Sequence, residues 1–342
     1  MRILVTGNMG YVGSVLTPFL ADRGHEVWGY DAGFYKECLL GGEFDPRVAR
    51  QIVKDVRRVE PADLEGVQAI VHLAALSNDP TGELNPGLTD AINTQGTRRM
   101  AEAARAAGAG RMVLASSCSI YGQSDQGALT EEAPFNPQTA YARSKVDGEA
   151  ALTRLADDRF SPVFLRFATA YGLSPRLRFD IAVNNLTGWG FTTGKVKLMS
   201  DGRAWRPMVH VEDMARAIAA ALEAPAEAVH ARALNIGAES ENYQIRDIAN
   251  TVAEVVPGCE VTFAEGASAD NRTYNVSFAK VRRVLPAFAP QWNVRRGIEQ
   301  LHRAFREAGL TFEQFDGRFY TRLKQLRYLM EGARVDEMLF WR

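Results

Sequence analysis

The first sixteen residues, MRILVTGNMGYVGSVL, constrain the fold more than any other stretch of this 342-residue chain. An apolar run at their start predicts a strand, glycines at positions 7, 10 and 13 follow it directly, and a helical pattern begins at Val12. Glycine permits the tight turn and the close helix–strand contact that join a parallel strand to its crossover helix. The stretch therefore predicts a βαβ unit, and with it a parallel sheet.

The rest of the first half repeats this alternation of short apolar runs and helical patterns. Such alternation predicts an α/β fold with a doubly wound parallel sheet. The runs that predict strands are Arg2–Val5, Glu26–Tyr30, Gln51–Val53, Ala69–Leu73, Arg111–Ala115 and Val163–Phe167. The patterns that predict helices are Val12–Arg23, Asn93–Ala107 and Tyr141–Ala156.

The pattern becomes less regular after Tyr171, where the predicted loops are longer and the helices and strands are harder to assign. Strands predicted over Pro207–Val211 and Leu234–Ile236 flank a helix predicted over Glu212–Ala224. The parts expected from these patterns are a sheet domain over residues 1–170 to which 207–236 return, a smaller mixed α/β lobe from 171–206 and 237–311, and a C-terminal helical extension over 312–342.

The extension contains four apolar residues at helical spacing, Leu323, Leu326, Leu329 and Met330. This spacing predicts a helix packed on the body of the protein or on a partner subunit. Acidic residues at positions 331, 336 and 337 interrupt the positive face, which disfavours a helix lying on a membrane surface.

The composition favours neither a nucleic-acid nor a membrane partner. The net charge is −1, and no apolar run is long enough to span a bilayer. Cys38, Cys118 and Cys259 lie far apart and lack metal-binding spacing, so we expect neither a disulfide framework nor a metal site. The N-terminus enters a strand at once, without the pattern of a signal peptide. The simplest expectation is a soluble, cytoplasmic protein.

The glycine-rich turn has the spacing of a dinucleotide-binding turn. Gly7 would permit the tight turn, Gly10 would let a pyrophosphate approach the backbone, and Gly13 would let helix and strand pack closely. The next strand ends in Asp31, where a carboxylate binds ribose hydroxyls and repels a 2′-phosphate. No arginine follows it closely, so the sequence favours NAD over NADP. Asp55 ends a third strand and is expected near the adenine amino group.

A second signal is the segment YARSK, which places Tyr141 and Lys145 four residues apart. On a helix these side chains share one face, and an ammonium beside a phenol favours the phenolate. The segment ASSCSIYG puts Ser117 at the end of a predicted buried strand. A carbonyl or carbinol oxygen could then sit between Ser117 and Tyr141 while a hydride moves between its carbon and NAD.

In combination these motifs resemble the extended short-chain dehydrogenase/reductase family, in the branch of nucleotide-sugar epimerases and dehydratases of the UDP-glucose 4-epimerase type. The resemblance implies a Rossmann-type sheet, an NAD cofactor and a nucleoside-diphosphate sugar substrate. It spans nearly the whole chain and rests on TGNMGYVG, DVR, HLAA, SSCSIYG, YARSK, LRFATAYG, RPMVHVEDMARAI and NIG.

The resemblance implies a role for each matched residue. Tyr141 would be the catalytic base, Lys145 would bind the nicotinamide ribose and lower the pKa of the tyrosine, and Ser117 takes the place of the family's catalytic Ser or Thr. The residues implied to bind NAD are Gly7, Met9, Gly10, Tyr11, Val12, Gly13, Asp31, Asp55, Val56, Leu73, Ala74, Ala75, Asn93, Ser116, Tyr141, Lys145 and Ala168.

The second lobe is expected to hold the substrate. Arg206 and Arg272 fall near family positions that grip the diphosphate, a task that suits the planar guanidinium fork, although surface salt bridges are the alternative. The residues implied to bind substrate are Ser77, Ser119, Thr169, Asn185, Arg206 and Arg272.

The segment after the catalytic hydroxyl bears on the reaction. Relatives that remove water across C5 and C6 carry Asp-Glu there, whereas this chain has Cys118 and Ser119, which disfavours 4,6-dehydration. We therefore expect inversion at C4 through a transient 4-keto sugar. Cys118 is either a buried filler or an acid or base that exchanges a proton at C3 or C5. Relatives that epimerise at those carbons place their cysteine one residue later, at Ser119, so the role does not transfer directly.

Other functions stay open at this point. A nucleotide 4-ketosugar reductase would use the same three residues but consume NAD(P)H. A regulator that senses NAD could dispense with the Tyr–Lys pair, and a dehydrogenase of small hydroxy or amino acids would not need Arg206 and Arg272.

Two further features accompany the resemblance. The stretch SPRLRFDIAVNNL, residues 174–186, is rich in polar and charged groups, which indicates an acidic or modified sugar or a salt-bridged loop. Many relatives form dimers through a four-helix interface, which Asn93–Ala107 and Tyr141–Ala156 would supply here, so we expect a homodimer.

Overall fold

The computed structural model describes residues 1–124, 127–268 and 273–342. Its strands are β1 (Arg2–Thr6), β2 (Glu26–Asp31), β3 (Arg50–Val53), β4 (Ala69–His72), β5 (Arg111–Ser117), β6 (Ala128–Leu129), β7 (Ser161–Phe167), β8 (Thr169–Tyr171), β9 (Lys195–Ser200), β10 (Trp205–His210), β11 (Arg232–Ile236), β12 (Asn242–Gln244), β13 (Glu260–Ser268) and β14 (Asn275–Val276).

The α-helices vary in length from single turns to the sixteen residues of the one that carries Tyr141. They are α1 (Gly13–Asp22), α2 (Asp79–Gly82), α3 (Pro86–Thr89), α4 (Gly96–Ala106), α5 (Ala140–Leu155), α6 (Ala182–Thr193), α7 (Val211–Glu223), α8 (Ala226–Val229), α9 (Ile245–Val255), α10 (Ala279–Val284), α11 (Val294–Glu307), α12 (Phe312–Asp316) and α13 (Arg322–Glu331). Among the described residues, no helix is long and apolar enough to cross a membrane.

A seven-stranded sheet forms the centre, in the order β11-β7-β5-β4-β1-β2-β3. All of its pairings are parallel, which confirms the predicted fold class. The strand order reverses between β1 and β4, and in such sheets a crevice opens there beyond the carboxyl ends of the strands.

Both faces of this sheet are buried because successive side chains of a strand point to opposite sides. Ile3 and Val5 of β1 belong to one hydrophobic cluster with α1 and α7, whereas Leu4 belongs to another with α4 and α5. Helices therefore cover both faces, and the carboxyl edge is the part of the sheet where a ligand can approach.

Residues 207–236 were expected to return to the large sheet, and only part of this segment does so. The strand predicted over Pro207–Val211 is β10, which lies outside the large sheet and pairs in parallel with β8 and antiparallel with β12. β11 does join the large sheet, beside β7, and α7 covers one face. A third cluster, built on α6, α9 and α11, forms the core of the lobe.

The C-terminal segment packs on the large sheet's own core. Leu326 and Leu329 of α13, followed by Val335 and Leu339, lie in the same hydrophobic cluster as Leu4. The indole nitrogen of Trp341 donates a hydrogen bond of 2.6 Å to the carbonyl of Ala32, in the loop that follows β2. The segment thus covers the loop next to the crevice.

Candidate active site

A cavity of about 420 Å³ lies beyond the carboxyl ends of β1, β4 and β5, between the large sheet and the lobe. Most of the residues implied to bind NAD line it. They are Gly7, Gly10, Tyr11, Val12, Gly13, Asp31, Asp55, Val56, Leu73, Ala74, Ala75, Ser116, Tyr141, Lys145 and Ala168.

The glycine turn can be built only from glycine at its critical points. Gly7 has a φ of +71°, and a Cβ there would lie 2.9 Å from the backbone nitrogen of Ala74. A Cβ on Gly13 would lie 2.3 Å from the carbonyl oxygen of Gly7. The turn is therefore a backbone cradle at the start of α1, where free amide groups favour a phosphate.

Asp31 ends β2 with its carboxylate held in place by the backbone. The amides of Met9 and Gly33 donate hydrogen bonds of 3.0 and 2.7 Å to its two oxygens, while burial raises its pKa. Met9 itself is absent from the cavity wall, so its place in the site is to orient Asp31 through its amide.

Asp55 has a different environment from the one expected. Both of its oxygens accept hydrogen bonds from the guanidinium of Arg57, at 2.9 and 2.6 Å. Asp55 lines the cavity, but its carboxylate is committed to Arg57 in this structure. Contact with adenine stays a prediction.

Asn93 lies behind the cavity wall, buried and fully bonded. Its oxygen accepts from the amide of Leu76 at 2.8 Å, and its nitrogen donates to the carbonyl of Leu76 and to the hydroxyl of Ser144. It therefore ties the loop after β4 to α5 and positions the wall, although it does not line the cavity.

The three residues of the predicted hydride-transfer site meet in the cavity. Ser117 ends β5, and Tyr141 and Lys145 lie one turn apart on α5. The ammonium of Lys145 donates a 2.7 Å hydrogen bond to the carbonyl of Ala115 and lies 5.4 Å from the Tyr141 ring centroid. A hydrogen bond with Ser117 favours the phenolate of Tyr141.

The effect of Lys145 on the pKa of Tyr141 stays a prediction, and the structure adds a further cation near the phenol. Burial raises the pKa of Tyr141 to about 12, and the opposing influences are the positive charge of Arg178 and the hydrogen bond with Ser117. Burial also lowers the pKa of Lys145 to about 8, although the negative charge of Glu149 acts to raise it. Arg178 is therefore a nearby cation that favours the phenolate in this structure.

Cys118 lies in the hydrophobic core, apart from the cavity wall. Its side chain is fully buried, and its Sγ lies 3.2 Å from the carbonyl oxygen of Arg166. Burial raises its pKa, which is the reverse of what an acid–base thiol needs. This position agrees with a thiol that fills space in the core. It does not agree with the catalytic role that the sequence left open for Cys118.

The residues expected to bind substrate divide into three groups. Ser77, Ser119, Thr169 and Arg206 line the cavity. The hydroxyl of Ser119 is buried without a hydrogen-bond partner among the described residues, so it has capacity for a ligand. Arg206 packs its guanidinium 5.6 Å from the ring centroid of Tyr274.

The structure describes one of the two remaining residues of this prediction. Asn185 donates its side-chain hydrogen bond to the carbonyl of Phe179, at 2.8 Å, and does not line the cavity. Arg272 falls outside the described residues.

The sequence did not identify the charged wall of the cavity. Arg178 and Asp180 line this wall together with Arg322, which begins α13 in the C-terminal segment. The charged stretch at 174–186 was a signal for the first two, and the structure shows a salt-bridged loop in which Arg178 and Asp180 are 2.7 Å apart. Arg322 carried no local signal, because only the fold brings it to the cavity.

Three observations indicate that the cavity fits a dinucleotide. The glycine turn at the start of α1 lines the cavity, Asp31 lies at the end of β2, and Ser117, Tyr141 and Lys145 line the same cavity. The residues present therefore match the cofactor that the sequence predicts.

Known proteins of similar sequence include enzymes named for work on nucleotide sugars. The chain is 30% identical over 320 residues to a UDP-glucose 4-epimerase of Mycolicibacterium smegmatis, which covers 90% of this chain and 99% of that relative. It is 29% identical over 326 residues to UDP-glucuronic acid decarboxylase 1 of Arabidopsis thaliana, covering 93% of this chain and 72% of that one.

A solved structure of the same fold extends the comparison. MoeE5 in complex with UDP-glucuronic acid and NAD matches 90% of this chain and 100% of its own, with a TM-score of 0.76 at 27% identity. A sequence profile described as the NAD dependent epimerase/dehydratase family matches residues 3–237. With the glycine turn, the Tyr–Lys pair and the parallel sheet in place, this chain belongs to the NAD-dependent epimerase/dehydratase family.

Proposed function

We propose that this protein is a nucleotide-sugar epimerase that inverts C4 through a transient 4-keto sugar, with NAD retained throughout the cycle. The observation that carries the proposal is the meeting of Ser117, Tyr141 and Lys145 in the cavity that the glycine turn enters. The similar UDP-glucose 4-epimerase of Mycolicibacterium smegmatis supports it.

Each of the three residues has a distinct task in this proposal. Bound NAD supplies a reversible hydride acceptor at the cavity. The phenolate of Tyr141 takes the proton of the sugar's C4 hydroxyl, and the phenol so formed later returns it. The hydroxyl of Ser117 holds the C4 oxygen of the sugar in place. The ammonium of Lys145, fixed on the carbonyl of Ala115, is available to a ribose hydroxyl.

The residues after Ser117 support epimerisation over 4,6-dehydration. The position that carries an acid in the dehydratases holds Cys118, which is buried in the core, and the next holds Ser119, which supplies a hydroxyl. Asp79 is a carboxylate in the cavity wall, but it accepts a 2.8 Å hydrogen bond from Thr139. No acid–base carboxylate follows the catalytic hydroxyl directly in sequence.

The substrate proposed is a sugar on a nucleoside diphosphate. Arg206 lies on the lobe side of the cavity, where a planar guanidinium suits phosphate oxygens. The unpartnered hydroxyl of Ser119 and the side chain of Thr169 are the polar groups proposed to meet the sugar.

A homodimer and a cytoplasmic location belong to the same proposal. α4 and α5 pack side by side and would form the shared face. Sedimentation equilibrium of the purified protein tests this directly, since a monomer at micromolar concentration contradicts the dimer.

The experiment for the proposed function uses purified protein without added cofactor, in heavy water. A panel of nucleotide sugars is supplied and each product is followed by NMR and mass spectrometry. We expect inversion at C4 without deuterium uptake on carbon. Conversion that starts only when reduced cofactor is added indicates the 4-ketosugar reductase instead, and deuterium at C3 or C5 indicates a 3,5-epimerase.

A further inference from the structure

Three arginines are buried close together at the charged wall of the cavity, which Arg178 and Arg322 line and beside which Arg176 lies. Arg176, Arg178 and Arg322 expose 7%, 8% and 3% of their surface. Each leaves one guanidinium nitrogen buried without a hydrogen-bond partner in the described part of the chain, namely Nε of Arg176, Nη2 of Arg178 and Nη1 of Arg322. Buried donors without partners are rare in folded proteins, so these three together point to a missing acceptor.

The carboxylate bonded within this group is that of Asp180. It accepts from Nε of Arg178 at 2.7 Å and from the backbone amide of Arg322 at 3.2 Å. The other nearby carboxylate, Asp31, is bonded to the amides of Met9 and Gly33. Positive charge is therefore in excess around the arginines, and a buried charge that lacks a partner is strongly destabilising.

Arg178 and Arg322 both line the cavity, so an anion in the cavity can reach them. Arg178 also donates a 3.0 Å hydrogen bond to the hydroxyl of Ser77, in the loop after β4. Arg322 lies over the ring of Tyr35, with its guanidinium carbon 4.4 Å from the ring centroid. The two guanidinium groups are thus held in fixed orientations, between the loop after β2 and the loop after β4.

The C-terminal segment that supplies Arg322 is fastened to the cofactor side of the cavity. Gln325, on the same helix, donates a 3.0 Å hydrogen bond to the carbonyl of Phe34, and Trp341 donates to the carbonyl of Ala32. Both acceptors follow Asp31 closely in the chain, at the end of the cavity expected to hold the adenosine ribose. The position of Arg322 is therefore coupled to the loop that carries Asp31.

We propose that Arg322, together with Arg178, forms a phosphate site in the cavity and so makes the C-terminal segment part of the ligand-binding machinery. Two phosphate groups can reach this cavity, the pyrophosphate of the dinucleotide and the diphosphate of a nucleotide sugar. The attachment of the segment to the loop after β2 favours the dinucleotide. The glycine turn then meets the pyrophosphate with backbone amides, and Arg322 meets it with a guanidinium.

The site depends on the cofactor but not on chemistry at C4, so binding measurements test it without turnover. The experiment compares wild type with Arg322→Gln, after NAD has been stripped from each protein. Arg334→Gln is the matched control, since Arg334 lies in the same segment, is half-exposed and pairs with Glu37 outside the cavity. The readouts are the calorimetric Kd for NAD, the Kd for UDP, and the NAD content of the proteins as purified.

We expect Arg322→Gln to weaken NAD binding by about tenfold or more, the scale of one charge-assisted hydrogen bond. UDP binding should stay within about twofold of wild type, and Arg334→Gln should change neither Kd. Weaker UDP binding with unchanged NAD binding would support the phosphate site but assign it to the substrate's diphosphate. Unchanged binding of both ligands overturns the proposal.

A second variant keeps the test valid if Arg322→Gln does not fold. Arg322→Lys retains the charge but loses the planar fork of donors, so its NAD affinity should fall below that of wild type. Arg322→Lys with wild-type affinity for both ligands again overturns the proposal. A protein that binds NAD as described but converts no sugar refutes the proposed function and leaves this site standing.

Discussion

The two walls of the cavity are built in different ways. The wall around the glycine turn comes from one continuous stretch, and its polar groups are backbone amides that only glycine can place there. The charged wall comes from Arg178 and Arg322, long side chains that the fold brings together from distant parts of the chain. The first wall depends on backbone geometry and the second on tertiary packing, so mutations should affect them differently.

The largest effect is expected at the phenol of Tyr141, which lines the same cavity as both walls. Tyr141→Phe removes the proposed base and should lower turnover by about a thousandfold, within the usual range for general acid–base catalysis. NAD content should remain near wild type, since the glycine turn is untouched. Coupled turnover and NAD content are measured on the same samples.

The matched control for this change is Tyr243→Phe, which removes a phenol that bonds Glu241 in the lobe. We expect it to keep turnover within about threefold of wild type, as a variant outside the acid–base group should. Equal losses in both variants would show that general packing, rather than the base at position 141, controls the rate.

The next effect tests the backbone wall. Gly13→Ala places a Cβ 2.3 Å from the Gly7 carbonyl, in a turn that cannot move aside. We expect a loss of about 1–3 kcal/mol in the free energy of unfolding and a loss of bound NAD. Gly110→Ala is the control because a Cβ there has its nearest neighbour at 3.9 Å. Urea unfolding and NAD content are measured for both variants. Equal results for the two variants would contradict the account.

A smaller, graded effect comes from pH. Burial depresses the pKa of Lys145 to about 8, so its ammonium is present below that pH and is lost above it. If catalysis needs the ammonium, the rate of NAD reduction by substrate should fall by up to about tenfold per pH unit above 8. Stopped-flow absorbance of the reduced nicotinamide measures this rate.

Lys145→Arg separates this explanation from titration of another group. A guanidinium keeps its proton to much higher pH, so the alkaline fall should move upward even if the absolute rate is lower. A fall that stays near pH 8 in Lys145→Arg would assign the titration to a different residue.

The smallest effect is expected at Cys118, which belongs to neither wall. Cys118→Ala should cost about 1 kcal/mol in the free energy of unfolding, from lost packing, and leave turnover within about twofold. Cys259→Ala, at a less buried thiol, is the control. A loss of turnover in Cys118→Ala that exceeds its loss of stability would restore the acid–base role for this thiol.

The features that the sequence predicted correctly depend on residues that lie close together in the chain. The strand, the turn at Gly7 and the pair Tyr141–Lys145 each fit within a short window, so their spacing was enough to predict the sheet and one wall of the cavity. β10 was recognised as a strand from its own residues. Which sheet it joins depends on its pairing with β8 and β12, whose residues lie elsewhere in the chain.

Other differences concern which side chains face the ligand and which support it. Met9 and Asn93 were expected to touch the cofactor, but one orients Asp31 through its amide and the other ties the loop after β4 to α5. Arg322 was missed because a lone arginine in a C-terminal helix has no pattern of its own. Its place in the cavity follows from the packing of Leu326 and Leu329 on the sheet core.

The most direct test of the central claim uses a nucleotide sugar that carries deuterium at C4. The hydride proposed to leave C4 returns to the same carbon on its other face, while NAD stays in the cavity that both walls enclose. The account predicts that the C4 epimer forms with its deuterium still at C4, in ordinary water and without added cofactor. A C4 epimer that has lost its deuterium to solvent would contradict the retained-NAD mechanism.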